Sequence, residues 1–140
     1  CQEQGILHEL VLRDLGSSYD KSRKILLEIF NYIKDKYPGM KKGLFMANDT
    51  HANIMLNIIF NEYGTLPDDF CIVGFDDSPI ASEAVIPIST VGQQIDKIAY
   101  EAAELLVKQM DERKKRRPEP QKELVHKNIT PVLIRRQTTF

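Results

Sequence analysis

Polar side chains that could bind a polyhydroxylated ligand follow several apolar segments of this chain. Asp76 comes soon after the apolar run that begins at Phe70, Asn48 follows a second such run, and Gln93 follows a third. A carboxylate accepts hydrogen bonds from two vicinal hydroxyls at once, and an amide donates and accepts simultaneously. Because the carboxyl ends of parallel strands meet at one edge of a sheet, we expect these side chains to converge on one ligand site.

Aromatic residues lie close to these polar groups in the predicted fold. Tyr19 lies at the start of a predicted helix and Phe75 directly precedes Asp76, so either ring could cover the apolar face of a sugar. Tyr19 could equally be a simple packing residue. The sequence therefore indicates a sugar-like ligand, with Tyr19 and Phe75 as candidate ring contacts.

Each polar residue also has a purely structural interpretation. Asn48 or Asp49 could cap a helix, and Asp77 could belong to a turn with the Ser-Pro pair that follows it. The convergence of strand ends favours a binding role for Asp76 and Asn48. It adds little for Asp49 and Asp77, for which capping and turn roles remain open.

Hydrophobic periodicity predicts alternating strands and helices. The predicted strands cover residues 8–13, 43–47, 70–75, 88–91, 123–126 and 130–135, and the predicted helices cover residues 19–37, 50–63 and 95–110. A loop is expected from Pro79 to Pro87. Ile54 and Ile58 broaden the apolar stripe of the second helix and could serve a subunit contact. This order predicts an α/β fold with a doubly wound, mainly parallel sheet.

Composition limits the class of protein. The 140 residues are 42% hydrophobic and 28% charged, with a formal net charge of −1, which is typical of one globular domain. This charge argues against a surface that coats nucleic acid, although it does not exclude a DNA-binding module outside this chain. The basic run 113–117 lies among prolines and acidic residues, so we expect a solvated loop.

Cysteine usage and hydropathy indicate a cytoplasmic protein. Cys1 is terminal and Cys71 lies within an apolar strand, so we expect no disulfide. No stretch approaches the roughly 18 apolar residues of a transmembrane helix, and no signal-peptide pattern is present. The chain begins with Cys, and residues 1–5 resemble a helix end, so we expect a fragment whose N-terminal part has been removed.

The sequence offers few groups for catalysis. The three histidines are far apart, no glycine-rich phosphate loop occurs, and no Ser-His-Asp set is apparent. We therefore predict no metal site, no cofactor and no enzymatic activity. A carboxylate- or magnesium-dependent enzyme using Asp14, Asp76 and Asp77 remains a remote alternative, because no acidic pair follows the first predicted strand.

Several motifs at defined intervals carry a resemblance to a known family. They are residues 47–49, 66–69, 73–77, 87–93 and 131–139. Together they resemble the LacI/GalR family of sugar-responsive transcriptional repressors over essentially the whole chain. The resemblance covers the C-terminal half of the effector-binding domain of that family.

This resemblance implies a type I periplasmic-binding-protein fold, with a ligand cleft between two α/β subdomains. Asp76 would hydrogen-bond sugar hydroxyls, Asn48 and Gln93 would also contact the ligand, and Tyr19 would lie beside the pocket. The implied partners are a small-molecule sugar effector and a second copy of the chain in a homodimer. DNA would be bound only through a head domain absent from this chain, and no membrane would be involved.

The resemblance also implies a division of the chain. Residues 1–91 and 123–140 would form the C-terminal subdomain, whereas 92–122 would be a crossover helix and basic loop that belong to the missing N-terminal subdomain. We therefore expect the apolar stripe of the helix 95–110 to lack a partner within this chain. The long insertion 113–127 is similar to that of regulators that carry a GntR-type winged helix, such as arabinose regulators.

A different function on the same fold also fits the sequence. A periplasmic sugar-binding transport protein would use the same cleft. The closing residues 133–139 resemble those of repressors more than those of transport proteins.

Overall fold

The computed structural model describes residues 5, 6, 8–16, 18–114 and 125–139. Its elements in chain order are α1 (Tyr19–Lys36), β1 (Lys42–Phe45), α2 (Asp49–Tyr63), β2 (Phe70–Phe75), α3 (Pro79–Glu83), β3 (Ser89–Gly92), α4 (Ile95–Lys114) and β4 (Val132–Ile134). Of these, only α3 lies where the sequence predicted no element.

The strands form one four-stranded sheet in the order β1-β2-β3-β4. β2 pairs in parallel with β1 and with β3, whereas β4 runs antiparallel to β3. The register places Phe45 beside Val73 and Phe75 beside Val91. The C-terminal ends of the parallel strands therefore meet at one edge, and the predicted mainly parallel α/β fold is confirmed.

Local capping sets where the two core helices begin and end. The Ser18 hydroxyl accepts from the backbone N–H of Lys21 at 3.3 Å, and Asn48 Oδ1 accepts from the N–H of His51 at 2.9 Å. α2 ends at Gly64, whose φ of 73° is the left-handed conformation that glycine adopts without strain. The predicted bounds of both helices are accordingly close to the observed ones.

The hydrophobic core lies between the sheet and the first two helices. α2 contacts α1, β2 and α3, so apolar residues around most of its circumference are covered. Ile54 and Ile58 are only 2% and 4% exposed and belong to this core. Their predicted availability for a subunit contact is wrong, because both side chains are already buried within the core of this chain.

The predicted first strand, residues 8–13, is not formed. Leu10 is 80% exposed, and the segment lies against α1 through Glu9, whose carboxylate accepts from Tyr32 Oη at 2.8 Å and Tyr37 Oη at 2.9 Å. Partial alternation of apolar residues favours a strand, but a strand also needs a neighbour with free backbone groups. In the described residues this segment has no such neighbour.

Three other predicted segments also need correction. The expected loop after Ser78 begins with the short helix α3, because Pro79 occupies the first turn, where its missing N–H costs nothing, and Ala81 is buried. Of the strand predicted at 123–126, residues 123 and 124 lie outside the described residues, and 125 and 126 are not in a strand.

The basic run 113–117, predicted as a solvated loop, is partly helical, because α4 continues to Lys114. The remainder of the run lies outside the described residues.

The closing segment joins the sheet beyond β4. The Thr138 hydroxyl donates to the carbonyl of Ile72 at 2.7 Å and accepts from the N–H of Ser89 at 2.9 Å. The N–H of Ile72 in turn donates to the carbonyl of Thr138 at 3.0 Å. Thr138 thus supplies β2 with the hydrogen bonds that a neighbouring strand would give before β3 begins.

The long helix α4 packs differently from the others. None of its residues is buried, and apolar side chains such as Ile98, Leu106 and Met110 are exposed. Lys127 contacts Glu101 and Glu104 and holds the segment before β4 beside the helix. An open groove of about 760 Å³ lies between the helix and residues 125–131. The apolar stripe of α4 is therefore uncovered in the described part of the chain.

Among the described residues, no helix combines the length and the apolar character needed to cross a membrane.

Candidate functional site

Asp76 and Gln93 meet at the C-terminal edge of the sheet. Gln93 Nε2 donates to Asp76 Oδ1 at 2.6 Å, and the N–H of Asp76 donates to the carbonyl of Val91 at 3.0 Å. Asp76 has a φ of 103°, a conformation that side chains other than glycine rarely adopt. Such strain persists only when the surrounding structure fixes it, and it is concentrated at ligand sites.

A cavity of about 430 Å³ opens at this edge of the sheet. It is lined by Asp76, Asp77, Gly92, Gln93, Gln94, Ile95, Asp96, Lys97, Val132 and Ile134. Two of the five predicted ligand residues, Asp76 and Gln93, are in this lining. Asn48, Tyr19 and Phe75 are not, so the predicted set is only partly brought together around one cavity.

Asn48 follows β1 and serves as the N-cap of α2. Its Oδ1 accepts the N–H of His51, which is the capping role left open by the sequence. Within the described residues its Nδ2 donates no hydrogen bond. A capping Asn48 therefore still presents a free donor.

The two aromatic candidates, Phe75 and Tyr19, have different surroundings. Phe75 packs edge-to-face on Phe45, with ring centroids 6.5 Å apart, at the ends of β2 and β1. Phe45 was not among the residues predicted for the site, although its position at the end of a strand just before Asn48 was a usable signal. Tyr19, the first residue of α1, is 56% exposed.

Asp49 is a structural carboxylate. Only 1% exposed, it accepts from the N–H of Ser78 at 2.7 Å, the hydroxyl of Ser78 at 3.1 Å and the hydroxyl of Thr90 at 2.6 Å. Its two oxygens are therefore occupied within the protein.

Asp77 forms an ion pair that sequence reasoning missed. Its Oδ1 lies 2.7 Å from Arg136 Nη2, and Arg136 Nη1 donates to the carbonyl of Ile88 at 3.0 Å. The arginine pair in the closing motif was the available signal. The pair binds the loop after β2 to the segment after β4, which goes beyond the turn role expected for Asp77.

His51 lies in the first turn of α2, behind Asn48. Burial lowers its pKa below the ordinary value of 6.5, and its Nδ1 is buried without a partner among the described residues. The neutral ring is therefore the favoured form at neutral pH. In the described ranges, no three His, Cys, Asp or Glu side chains are grouped so that they could hold a metal ion.

A mainly parallel sheet whose C-terminal edge carries Asp76 and Gln93 beside an open cavity is an arrangement typical of ligand-binding α/β domains. The chain belongs to the periplasmic binding protein-like domain family, whose model matches residues 1–139.

The curated relatives are transcriptional regulators. The probable HTH-type regulator EndR of Paenibacillus polymyxa is 33% identical over 124 residues, which cover 79% of this chain and 36% of EndR. The arabinose metabolism transcriptional repressor of Geobacillus stearothermophilus is 32% identical over 66 residues, covering 47% of this chain and 18% of the repressor. The chain thus spans no more than about a third of these relatives.

Solved structures of LacI-family regulators share the fold. A regulator from Silicibacter pomeroyi gives a TM-score of 0.67 at 21% identity, covering 84% of this chain and 38% of that one. A Lactobacillus casei regulator with bound sucrose gives a TM-score of 0.64 at 21% identity, covering 88% of this chain and 41% of that one. The CelR–cellobiose complex gives a TM-score of 0.63 at 23% identity, covering 83% of this chain and 33% of that one. The predicted resemblance to the LacI/GalR family is confirmed.

Proposed function

We propose that this chain is the C-terminal half of the effector-binding domain of a transcriptional repressor, and that its effector is a sugar or sugar phosphate. The observation that carries the proposal is the meeting of Asp76 and Gln93 beside a cavity at the C-terminal edge of the sheet. Two solved complexes of similar fold, one with sucrose and one with cellobiose, show that this fold accommodates sugars in other proteins.

The chemistry of the site suits vicinal hydroxyls. Asp76 Oδ1 is engaged by Gln93, whereas Oδ2 accepts no hydrogen bond from the described residues. This free oxygen can accept from a hydroxyl, and Asn48 Nδ2 can donate to one. The paired rings of Phe45 and Phe75 offer an apolar face at the same edge of the sheet, on which a sugar ring can stack.

The division of the chain into two parts belongs to the same proposal. Residues 1–91 and 123–140 form the C-terminal subdomain, and 92–122 belong physically to the N-terminal subdomain. The uncovered apolar stripe of α4 supports this division, because a helix with such a stripe needs a partner to bury it. The other half of the ligand cleft would come from the same partner.

In the whole protein, effector binding closes the two subdomains and shifts the equilibrium between two arrangements of a cytoplasmic homodimer. Such a shift requires different effector affinities for the two states. DNA is bound through a head domain outside this chain, and the arabinose repressor among the relatives supports a head like that of arabinose regulators. The domain itself binds without catalysing a reaction.

A calorimetric titration on the full-length protein tests the proposal, after a thermal-shift panel of sugars has identified a ligand. Asp76→Asn keeps the shape of the side chain and removes its charge. Loss of one or two hydrogen bonds to a charged group, about 1.5–3 kcal/mol each, predicts at least a tenfold weaker affinity. Asp76→Ala should abolish measurable binding and leave the fold intact.

Asp68→Ala is the matched control. Asp68 is an exposed carboxylate at the opposite end of β2, so its removal should leave the sugar affinity unchanged. A full-length protein that binds no sugar, or an Asp76→Asn variant with wild-type affinity, contradicts the proposal.

A further inference from the structure

The buried carboxylate of Asp49 is the polar group that the proposed ligand site does not use. Among the described residues it has no cationic partner, and its three hydrogen bonds come from Ser78 and Thr90. Burial of a charged group costs several kcal/mol unless hydrogen bonds compensate for the lost water. A short bond from a backbone N–H and two from hydroxyls provide that compensation here.

These hydrogen bonds link the three strand ends that carry the candidate ligand residues. Asp49 itself directly follows Asn48, Ser78 lies two residues after Asp76, and Thr90 lies three residues before Gln93. One carboxylate therefore adjoins Asn48 and binds both the segment after β2 and strand β3.

The close approach of α2 to β2 depends on the same residue. A Cβ added at Gly74 would lie 2.2 Å from Asp49 Oδ1 and 3.2 Å from Asp49 Cα. Only glycine leaves room for the carboxylate at this point of β2. The backbone just before Asp76 is thus fitted directly to Asp49.

The strained backbone after β2 is held from both sides. The N–H of Asp76 is bound by Val91, the N–H of Ser78 is bound by Asp49, and the intervening residues have φ values of 103° and 54°. Strained conformations of this kind persist only under such constraint. Release of the Ser78 end would let Asp76 relax toward an ordinary conformation.

We propose that Asp49 is a positioning residue of the ligand site. Its carboxylate sets the relative positions of Asn48, Asp76 and Gln93 without touching the ligand. This inference rests on the proposed function, because it assumes that these three side chains bind the effector.

Asp49→Asn in the full-length protein tests the inference. The amide keeps the size of the carboxylate but removes its charge and replaces one acceptor by a donor, so the partner that faces the new NH2 group can no longer donate to residue 49. A lost bond of about 1–3 kcal/mol that acts on ligand geometry corresponds to about 5- to 150-fold weaker sugar affinity. Ser78→Ala, which removes the hydroxyl and keeps the N–H, should weaken affinity by a smaller factor.

Thr138→Val is the matched control. It also removes a buried hydroxyl that bridges β2 and the start of β3, but that hydroxyl makes no hydrogen bond to Asp49, Ser78 or Thr90. We expect the control to lose stability and to keep its sugar affinity at temperatures where it is folded. Equal affinity losses for equal losses of stability in the two variants would make Asp49 merely structural and overturn the inference.

A second readout does not depend on the sugar. In spectra of the ligand-free protein, the side-chain amide signals of Asn48 and Gln93 should shift in Asp49→Asn and stay in place in Thr138→Val. Unchanged signals in Asp49→Asn overturn the inference even if sugar binding itself is established. Shifted signals in a protein that binds no sugar would support the positioning role and reject the proposed function.

Discussion

Thr138→Val isolates the contribution of the closing segment to stability. Valine has nearly the shape of threonine, so the substitution removes the hydroxyl and leaves the packing in place. Thr138 is 2% exposed, and both of its hydroxyl partners, the carbonyl of Ile72 and the N–H of Ser89, belong to residues that are fully buried. Water cannot replace the lost bonds without opening the sheet.

The expected cost follows from these two orphaned groups. A buried donor or acceptor left without a partner destabilises by about 1–3 kcal/mol, so the pair predicts about 2–6 kcal/mol of lost unfolding free energy. Thr138→Ser keeps the hydroxyl and removes one methyl group. Its predicted cost is about 1 kcal/mol, near the value for one buried methylene.

Urea unfolding followed by circular dichroism measures both variants. The midpoint should fall further for valine than for serine while the slope stays constant, since a constant slope shows that the same surface is exposed on unfolding. Equal destabilisation by the two substitutions would refute the reasoning. It would mean that the methyl group, and not the pair of hydrogen bonds, anchors the closing segment.

Two further substitutions test charged groups of the fold. Lys42→Met should lower the free energy of unfolding by about 1.5–3 kcal/mol, because the ammonium is 7% exposed and lies 2.7 Å from the carboxylate of Asp69. Asp69 is 37% exposed, so water can solvate its carboxylate once the ammonium is gone. Lys34→Met is its control. The pair with Glu62 has the same distance, but both groups are exposed and water screens their attraction, so a clearly smaller loss of unfolding free energy is expected in urea unfolding, and equal losses would contradict the argument. Burial lowers the pKa of His51, so the unfolded chain takes up the proton first, and stability should fall as the pH drops below 6.5. His51→Gln should flatten that part of the pH dependence, and an unchanged profile would exclude His51 as its source.

The helices and central strands of the fold follow from local sequence. Apolar residues at helical spacing, a capping Ser18 or Asn48 and a terminating Gly64 all act within a few residues of each other, so their effect can be read without the tertiary structure. The strand predicted at 8–13 failed for the opposite reason. Its formation depends on a neighbouring edge, which no local pattern specifies.

The same distinction applies to the site. The approach of Gln93 to Asp76 was predictable, because parallel strands place their C-terminal ends together whatever their side chains are. The bonds from Ser78 and Thr90 to Asp49, and the pair of Asp77 with Arg136, join residues 29 to 59 positions apart. Such contacts depend on side-chain directions that periodicity does not encode. Asp77 therefore gained a partner that its turn-forming sequence gave no reason to expect.

The bond between Gln93 and Asp76 also bears on how a ligand gains affinity. A hydroxyl that binds Asp76 Oδ1 must displace the Gln93 amide, so one hydrogen bond is exchanged for another and the net gain is small. A hydroxyl that binds Asp76 Oδ2 leaves the hydrogen bond from Gln93 in place and adds one new hydrogen bond. Under the proposed function, affinity from this half of the cleft therefore rests on few new bonds. An effector can shift a conformational equilibrium only by its difference in affinity for the two states. The proposal therefore requires most of the free energy of closure to come from contacts that form when the other half of the cleft meets the ligand.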